Sequence, residues 1–422
     1  MKKNIILGMM LVLNVLGLSA STDLVDYVRG DYEGKADSLE YCLVENFLNK
    51  QKGTFWGSPN DVKGDSWNMY WQQAHAIDVI VYAYERYVKE GNTAKANEYK
   101  GYMDLWFTNH GNNWRGGTWT NEFTDDMGWI GLAIFHMGDA TGQTKYYRTA
   151  KSIYTTIASR KKQDEYGTYL NQNIDHEYSP GTCTMAPASL LAAKLYLYYG
   201  DESYLEDAIA YYDYLVAKGI VKSDGRCEEP PLTYTQGTLA EACRYLYHIT
   251  GTNDYKNKAY LYINYAFTNG RCTNNGLLRD EGHDGNQSIF KAVLIPYAVN
   301  FVLDEDMATV RRRTILQKIQ DNADALWEHL DKDAYPQMYC PYYWGTSFDN
   351  SEPASMGAMV SGASLFENTT RVTKAITEQA MGIEQASVID NESDAVYNIN
   401  GQKVTDSYKG IIIRNGRKYV RK

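Results

Sequence analysis

The chain has 422 residues, a formal charge of -10 and 44% hydrophobic residues, with seven histidines and six cysteines. That acidity argues against nucleic acid or an anionic membrane surface as partner and fits a neutral ligand better. Past the N-terminus, no stretch approaches the ~20 apolar residues that a membrane span requires.

Taken in chain order, Lys2-Lys3, the apolar run Ile5 to Leu18 and then Ser19-Ala20 read as a secretory signal peptide over residues 1–20. The expected location is therefore periplasmic, cell-surface or secreted. No cysteine follows the cleavage motif to serve as a lipid anchor. From residue 23 onward, apolar spacing broken by Gly, Pro, Asn and Asp predicts twelve helices. Their spans are 23–49, 71–91, 93–109, 124–141, 143–160, 185–200, 202–219, 235–251, 253–268, 285–304, 307–331 and 353–370. Many of them pair: a helix of small and apolar residues ends near Gly, and a Tyr-rich amphipathic helix follows. Tyr198-Tyr199-Gly200-Asp201-Glu202-Ser203-Tyr204 and Ile249-Thr250-Gly251-Thr252-Asn253-Asp254-Tyr255 are two copies of one turn, and His136 to Gly142 is a looser third. Six such hairpins predict an all-α (α/α)6 barrel over residues 21–370, with an open solenoid as the alternative. Residues 371–394 read as a linker. The segment 395–422 carries short strand patterns with glycine turns, a small β-rich tail. Its basic end resembles the carboxy-terminal sorting tails of exported Bacteroidetes proteins.

Two adjacent carboxylates, Asp125 and Asp126, open the apolar helix that runs to Met137, just after the aromatic, Gly-rich stretch ending in Trp119-Thr120-Asn121. In an aromatic cleft their mutual repulsion would hold one proton between them near neutral pH, supplying the acid and the base that glycosidic cleavage needs. Acidic residues in a first turn are also ordinary complements to the helix dipole, with Thr124 as N-cap. The sequence alone leaves both readings open. No metal site is expected, since His-x-x-x-His, clustered Cys and an EF-hand loop are all missing, and no cofactor is expected. Cys42, Cys183, Cys227, Cys243, Cys272 and Cys340 permit disulfides without choosing among them, and none shares a motif with a histidine.

Four separated motifs recur in an order that resembles glycoside hydrolase family 76. These are Tyr70-Trp71-Gln72-Gln73-Ala74-His75-Ala76-Ile77-Asp78; Thr124-Asp125-Asp126-Met127-Gly128-Trp129; Asp224-Gly225 with Leu232-Thr233-Tyr234-Thr235-Gln236-Gly237; and His283-Asp284-Gly285-Asn286-Gln287 with Phe290-Lys291. The chain departs from the family pattern at Thr235 for Asn, in two residues inserted before Phe290, and at Ala292 for Gly. It also departs in Tyr166 to Asn171, which stand in place of a Gly-Gly-x-Trp-Trp stretch. The resemblance implies a retaining, endo-acting α-1,6-mannanase. In that reading Asp125 is the nucleophile and Asp126 the acid/base, with mannan or manno-oligosaccharides as partner. Consecutive Cβ atoms, roughly 5–6 Å apart, loosely suit the ~5–5.5 Å carboxyl separation of retaining enzymes, although consecutive helical positions splay by about 100°.

Sugar rings stack on aromatic faces, and amides and carboxylates take paired hydroxyls. On that chemistry Trp71, Trp119, Trp129, Tyr234 and Trp344 are the candidate platforms. Gln73, Asp78, Asn121, Asp224, Gln236, Asp284 and Gln287 are the candidate hydroxyl partners. Lys291 and His75 read as buried structural groups, and the two Asp-Gly pairs also read as turns. A mannosyl transglycosylase and a non-catalytic mannan binder are the alternatives within the resemblance. A polysaccharide lyase on the same toroid would want a basic groove.

Overall fold

The computed structural model describes residues 24–59, 69–113, 118–176 and 178–381, together with the backbone of four short strands beyond residue 395. The expected signal peptide lies outside the described residues. Among them are twelve α-helices: α1 (Glu33–Phe47), α2 (Tyr70–Lys89), α3 (Thr93–Asn113), α4 (Thr124–Thr141), α5 (Thr144–Ala158), α6 (Thr182–Tyr199), α7 (Glu202–Ala217), α8 (Thr233–Thr250), α9 (Asn253–Thr268), α10 (Phe290–Leu303), α11 (Thr309–His329) and α12 (Met356–Ala380). The even-numbered helices pack in a ring, α2 on α4, α4 on α6, and so on through α12 back to α2. Each odd-numbered helix packs outside one of them, α1 against α12 closing the circle. This is the expected (α/α)6 barrel.

Composition explains which helices go inside. Helix α6 buries every residue from Thr182 to Ala193, and such an all-round buried helix needs small or apolar side chains throughout. Glycine lets inner neighbours close up: a Cβ on Gly237 would lie 2.8 Å from the Leu294 Cα, and one on Gly131 would lie 2.6 Å from the Leu191 side chain. The outer helices are amphipathic. Helix α5 buries Tyr146, Tyr147, Ala150, Ile153, Tyr154 and Ile157, a single stripe at helical spacing. The repeated turn is one structure in three copies: Gly142, Gly200 and Gly251 end α4, α6 and α8 in left-handed geometry (φ 68°, 74° and 71°). Their N–H groups bond the carbonyls of Gly138, Tyr196 and Tyr247.

Two boundaries differ from expectation by ten residues. Helix α1 begins at Glu33, ten residues later than predicted, and α12 runs to Ala380, ten residues further. The Thr-rich segment after Asn368 reads as polar and unpatterned. In the helix, however, Thr369, Thr373 and Thr377 each donate their hydroxyl to the carbonyl four residues back, so the side chains satisfy themselves along the helix wall. Beyond it, Val396–Asn398, Lys403–Val404, Gly410–Arg414 and Arg417–Arg421 form one antiparallel sheet in which the first strand lies between the second and third and the fourth pairs with the third. The expected β-rich tail is therefore present, and residues 382–394 of the expected linker lie outside the described residues. No described helix is long and apolar enough to cross a membrane. All six cysteines are buried and unpaired.

Candidate active site

The inner helices present their N-termini at one mouth of the barrel, and the loops leading into them build a cleft there. Helix α4 starts at Thr124 with Phe123 in the N-cap position, so Thr124 is the first helical residue and does not cap the helix. A short backbone bridge between Phe123 and Asn173 ties this entrance to the segment following the Lys162–Asp164/Gly167–Tyr169 hairpin. Thr124 N–H donates to the Gln172 carbonyl at 2.7 Å. The Arg160 guanidinium, at the end of α5, donates to the carbonyls of Asn121 (2.5 Å) and Glu122 (3.3 Å) and to the Thr124 hydroxyl (3.2 Å). These bonds fix the chain before it enters the helix.

Asp125 is only 7% exposed. Its Oδ2 accepts from the Gln172 side-chain amide at 2.9 Å, and its Oδ1 accepts from the Asp126 N–H at 3.0 Å. Asp126 is half-buried, and its Oδ2 accepts from the Asn121 amide at 3.2 Å. Burial raises the proton affinity of Asp125 to a pKa of about 6, with the Gln172 and backbone hydrogen bonds opposing the rise. Asp126 is held well above the ordinary carboxylate range, first by burial and then by the charge of Asp125. At neutral pH the pair thus tends toward an ionised Asp125 beside a protonated Asp126, a base next to an acid.

Beneath them lies an aromatic floor drawn from four inner helices. Trp71 of α2 stands 6.3 Å from Trp129 of α4, 6.3 Å from Tyr234 of α8 and 6.1 Å from Phe290 of α10, ring centroid to ring centroid. Tyr234 and Phe290 stack at 4.2 Å. Trp71 and Tyr234 remain partly exposed, and Trp129 is buried beneath them. The Trp71 indole N–H donates to Asn286 Oδ1 at 2.8 Å, joining α2 to the segment ahead of α10. Trp119, half-buried, packs against Trp106 and Phe107 of α3, and its carbonyl accepts from the Tyr70 hydroxyl at 2.7 Å. Of the residues expected at the site, the structure thus places Trp71, Trp129 and Tyr234 in one aromatic cluster, and Trp119, Asn121, Asp125 and Asp126 along the entrance and first turn of α4.

Other candidates have partners within the protein. Gln73 is fully buried, its amide accepting from the Phe55 N–H and donating to the Phe55 carbonyl. Gln236 is likewise buried, accepting from the Cys227 N–H at 2.6 Å and donating to the carbonyls of Gly225 and Tyr262. Trp344 is fully buried under the Lys291 ammonium, 4.4 Å from its ring, while that ammonium donates to the Tyr342 carbonyl. Asp78 lies seven residues beyond Trp71, about 10 Å further along the helix at 1.5 Å per residue, where it bonds His136 at 3.0 Å. Asp224 and Asp284 are exposed and turn their carboxylates onto local N–H groups, Arg226 for the first and Asn286 and Gln287 for the second. Gln287 is half-buried and packs against Gly282. Burial lowers His75 to about 4, so it stays neutral, and lowers Lys291 to about 8.

Three site residues escaped the sequence reading. Gln172 follows Asn171 directly, and the departure from the family pattern just before it was the available signal. Arg160 looked like an ordinary cation at a helix end. Glu228 could not be told from Glu229, which is exposed and pairs with Arg226 and Arg271.

One group of potential metal ligands stands among the described residues: His248, Asp304 and Asp306. It lines a pocket of about 670 Å³ with Arg244, Tyr245 and Asn300. His248 is fifteen residues along α8 from Thr233, about 22 Å from the mouth. Asp304 Oδ2 is already engaged there by His248 (2.6 Å) and Arg244 (3.0 Å), so a cation would have to displace both.

An all-helical barrel with a proton-holding carboxylate pair over an aromatic floor has the equipment of a glycan-cleaving enzyme. Residues 32–380 match the profile of glycosyl hydrolase family 76, and the chain belongs to that family. Among solved structures it is similar to the GH76A α-1,6-mannanase of Salegentibacter sp. HEL1_6, with 22% identity and a TM-score of 0.71 over 81% of this chain and 100% of that one. An inactive variant of that mannanase, with two consecutive aspartates replaced, has been solved with α-1,6-mannotetrose. The Lin0763 protein of Listeria innocua is equally similar, at 22% identity and a TM-score of 0.71 over 82% of this chain and 99% of that one. A family 76 mannosidase of Bacteroides thetaiotaomicron follows at 16% and 0.64, over 82% of this chain and 99% of that one. No curated protein matches the chain in sequence.

Proposed function

We propose that this glycoside hydrolase is a retaining, endo-acting α-1,6-mannanase. The observation that carries the reading is the Asp125–Asp126 pair, two carboxylates at the cleft mouth with raised and unequal proton affinities. Asp125, ionised and aimed by the Gln172 amide, attacks the anomeric carbon of the mannosyl unit as the glycosidic bond breaks. Asp126, protonated, delivers its proton to the leaving oxygen. Water then enters, gives a proton back to Asp126 and displaces the sugar from Asp125, so two inversions restore the starting configuration. Trp71 and Tyr234 offer the exposed aromatic faces for the sugar rings. The α-1,6-mannan substrate is supported by the similar mannanase whose doubly aspartate-substituted variant was solved with α-1,6-mannotetrose. Export by the N-terminal segment would bring the enzyme to such a polymer, which is too large to enter a cell intact.

Incubation with debranched α-1,6-mannan tests this. The expected products are short manno-oligosaccharides, with new reducing ends that appear first as the α-anomer by proton NMR. First formation of the β-anomer would overturn the retaining mechanism, and no cleavage by folded protein would overturn the activity.

A further inference from the structure

The loop between α7 and α8 contributes a third carboxyl to the cleft. Glu228 turns inward while Glu229 faces solvent. Its Oε1 lies 3.5 Å from where a Cβ on Gly181 would sit, and the Cys183 Sγ is equally far from that point. The nearby Thr235 hydroxyl donates to the Leu232 carbonyl at 3.0 Å, and the Glu228 Oε2 is buried with no hydrogen-bond partner. Asp125, Cys183 and Tyr234 all lie within electrostatic reach of it. Four side chains, from α4, the start of α6, the 218–232 loop and α8, thus lie near one another on the Asp125 side of the site. A buried carboxyl oxygen without a partner is costly to the fold, and a functional role is one of the reasons such a group is kept.

We infer that Glu228 is a substrate-binding residue whose partly exposed carboxyl hydrogen-bonds a hydroxyl of the mannosyl unit held against Asp125. The inference rests on the mannanase reading. Burial, then the charge of Asp125, raises Glu228 to about 7. Near neutral pH it therefore carries a proton part of the time and can donate to the sugar without setting a full second charge beside Asp125. The groups facing it are Asp125 from α4, Cys183 from α6, and Tyr234 and Thr235 from α8. Burial keeps the Cys183 thiol protonated, so it adds no charge.

The test is calorimetric titration of α-1,6-mannotriose into the Asp125→Asn/Asp126→Asn double variant, alone and with Glu228→Ala or Glu228→Gln added. Glu228→Ala should weaken binding about tenfold or more, as for one lost buried hydrogen bond to a partly charged group, and Glu228→Gln should keep binding within about threefold. The melting temperature of unligated Glu228→Gln should rise, because a buried, unpartnered acid is removed; a purely structural role predicts a fall. Undiminished binding by Glu228→Ala, with the parent binding normally, would overturn the inference and leave the mannanase reading standing. Failure of the parent itself to bind would overturn both.

Discussion

At the far end of the barrel, inward carboxylates have cations against them. Asp78 and Glu85 flank His136 at 3.0 and 3.4 Å, Glu241 and Asp304 share Arg244, and in the wall Glu367 takes Arg86 through two bonds of 2.9 Å. At the mouth the carboxyls of Asp125 and Asp126 have amides and a backbone N–H as partners, Glu228 Oε2 has none, and among the described residues no cation pairs with any of the three. Paired charges brace helices against one another. Unpaired ones take up protons near neutral pH, which is costly for the fold and useful for proton transfer. The same residue types thus serve structure at one end and chemistry at the other.

That contrast can be broken by removing a member from either side. The largest effect belongs to the aspartates: Asp125→Asn or Asp126→Asn should lower kcat/KM on α-1,6-mannan by about a thousandfold or more, in the range of lost acid–base or nucleophilic catalysis, with the fold intact by circular dichroism. Arg86→Ala should do the reverse. It strands the buried Glu367 carboxylate and should cost about 3–5 kcal/mol in chemical denaturation, while kcat/KM of the folded fraction changes little. Gln172→Ala touches the mouth more gently. Without the amide that favours its charged form, Asp125 gains proton affinity, and the acid limb of kcat/KM should move to higher pH, with about a tenfold loss near pH 6. Smallest is a gain in stability. The folded pKa of Asp126 exceeds its unfolded value, so the folded state binds the extra proton, and stability falls as pH rises from the unfolded value through the folded one. Asp126→Asn should therefore raise the melting temperature by a few degrees at pH 7 and leave it unchanged below about pH 3.5, where both states are protonated.

The barrel was legible because its signals are local and repeated. Glycine after a small-residue helix, then a tyrosine stripe, names the inner and outer member of a hairpin without any long-range knowledge. The Asp pair and its aromatic floor were legible from motif order, since Trp71, Trp129 and Tyr234 sit at the starts of inner helices and a closed ring brings those starts together. Gln73 and Gln236 belonged to the same motifs yet point into the wall, because a motif preserves a backbone brace as readily as a sugar contact; Trp344, outside those motifs, is buried as well. Gln236 shows this directly, spanning Gly225, Cys227 and Tyr262 with one amide. Gln172 and Glu228 were hidden for the opposite reason. Their loops fold toward Asp125 only through tertiary contacts such as the Phe123–Asn173 bridge, which no local pattern announces.

The most direct measurement is kcat/KM on α-1,6-mannotetrose across pH 4 to 9. The account predicts a bell whose acid limb lies near pH 6, set by ionisation of Asp125, with activity falling again at higher pH as the mouth loses its protons. An acid limb near 4, the ordinary carboxylate value, or a flat profile across pH 5 to 8 would contradict it.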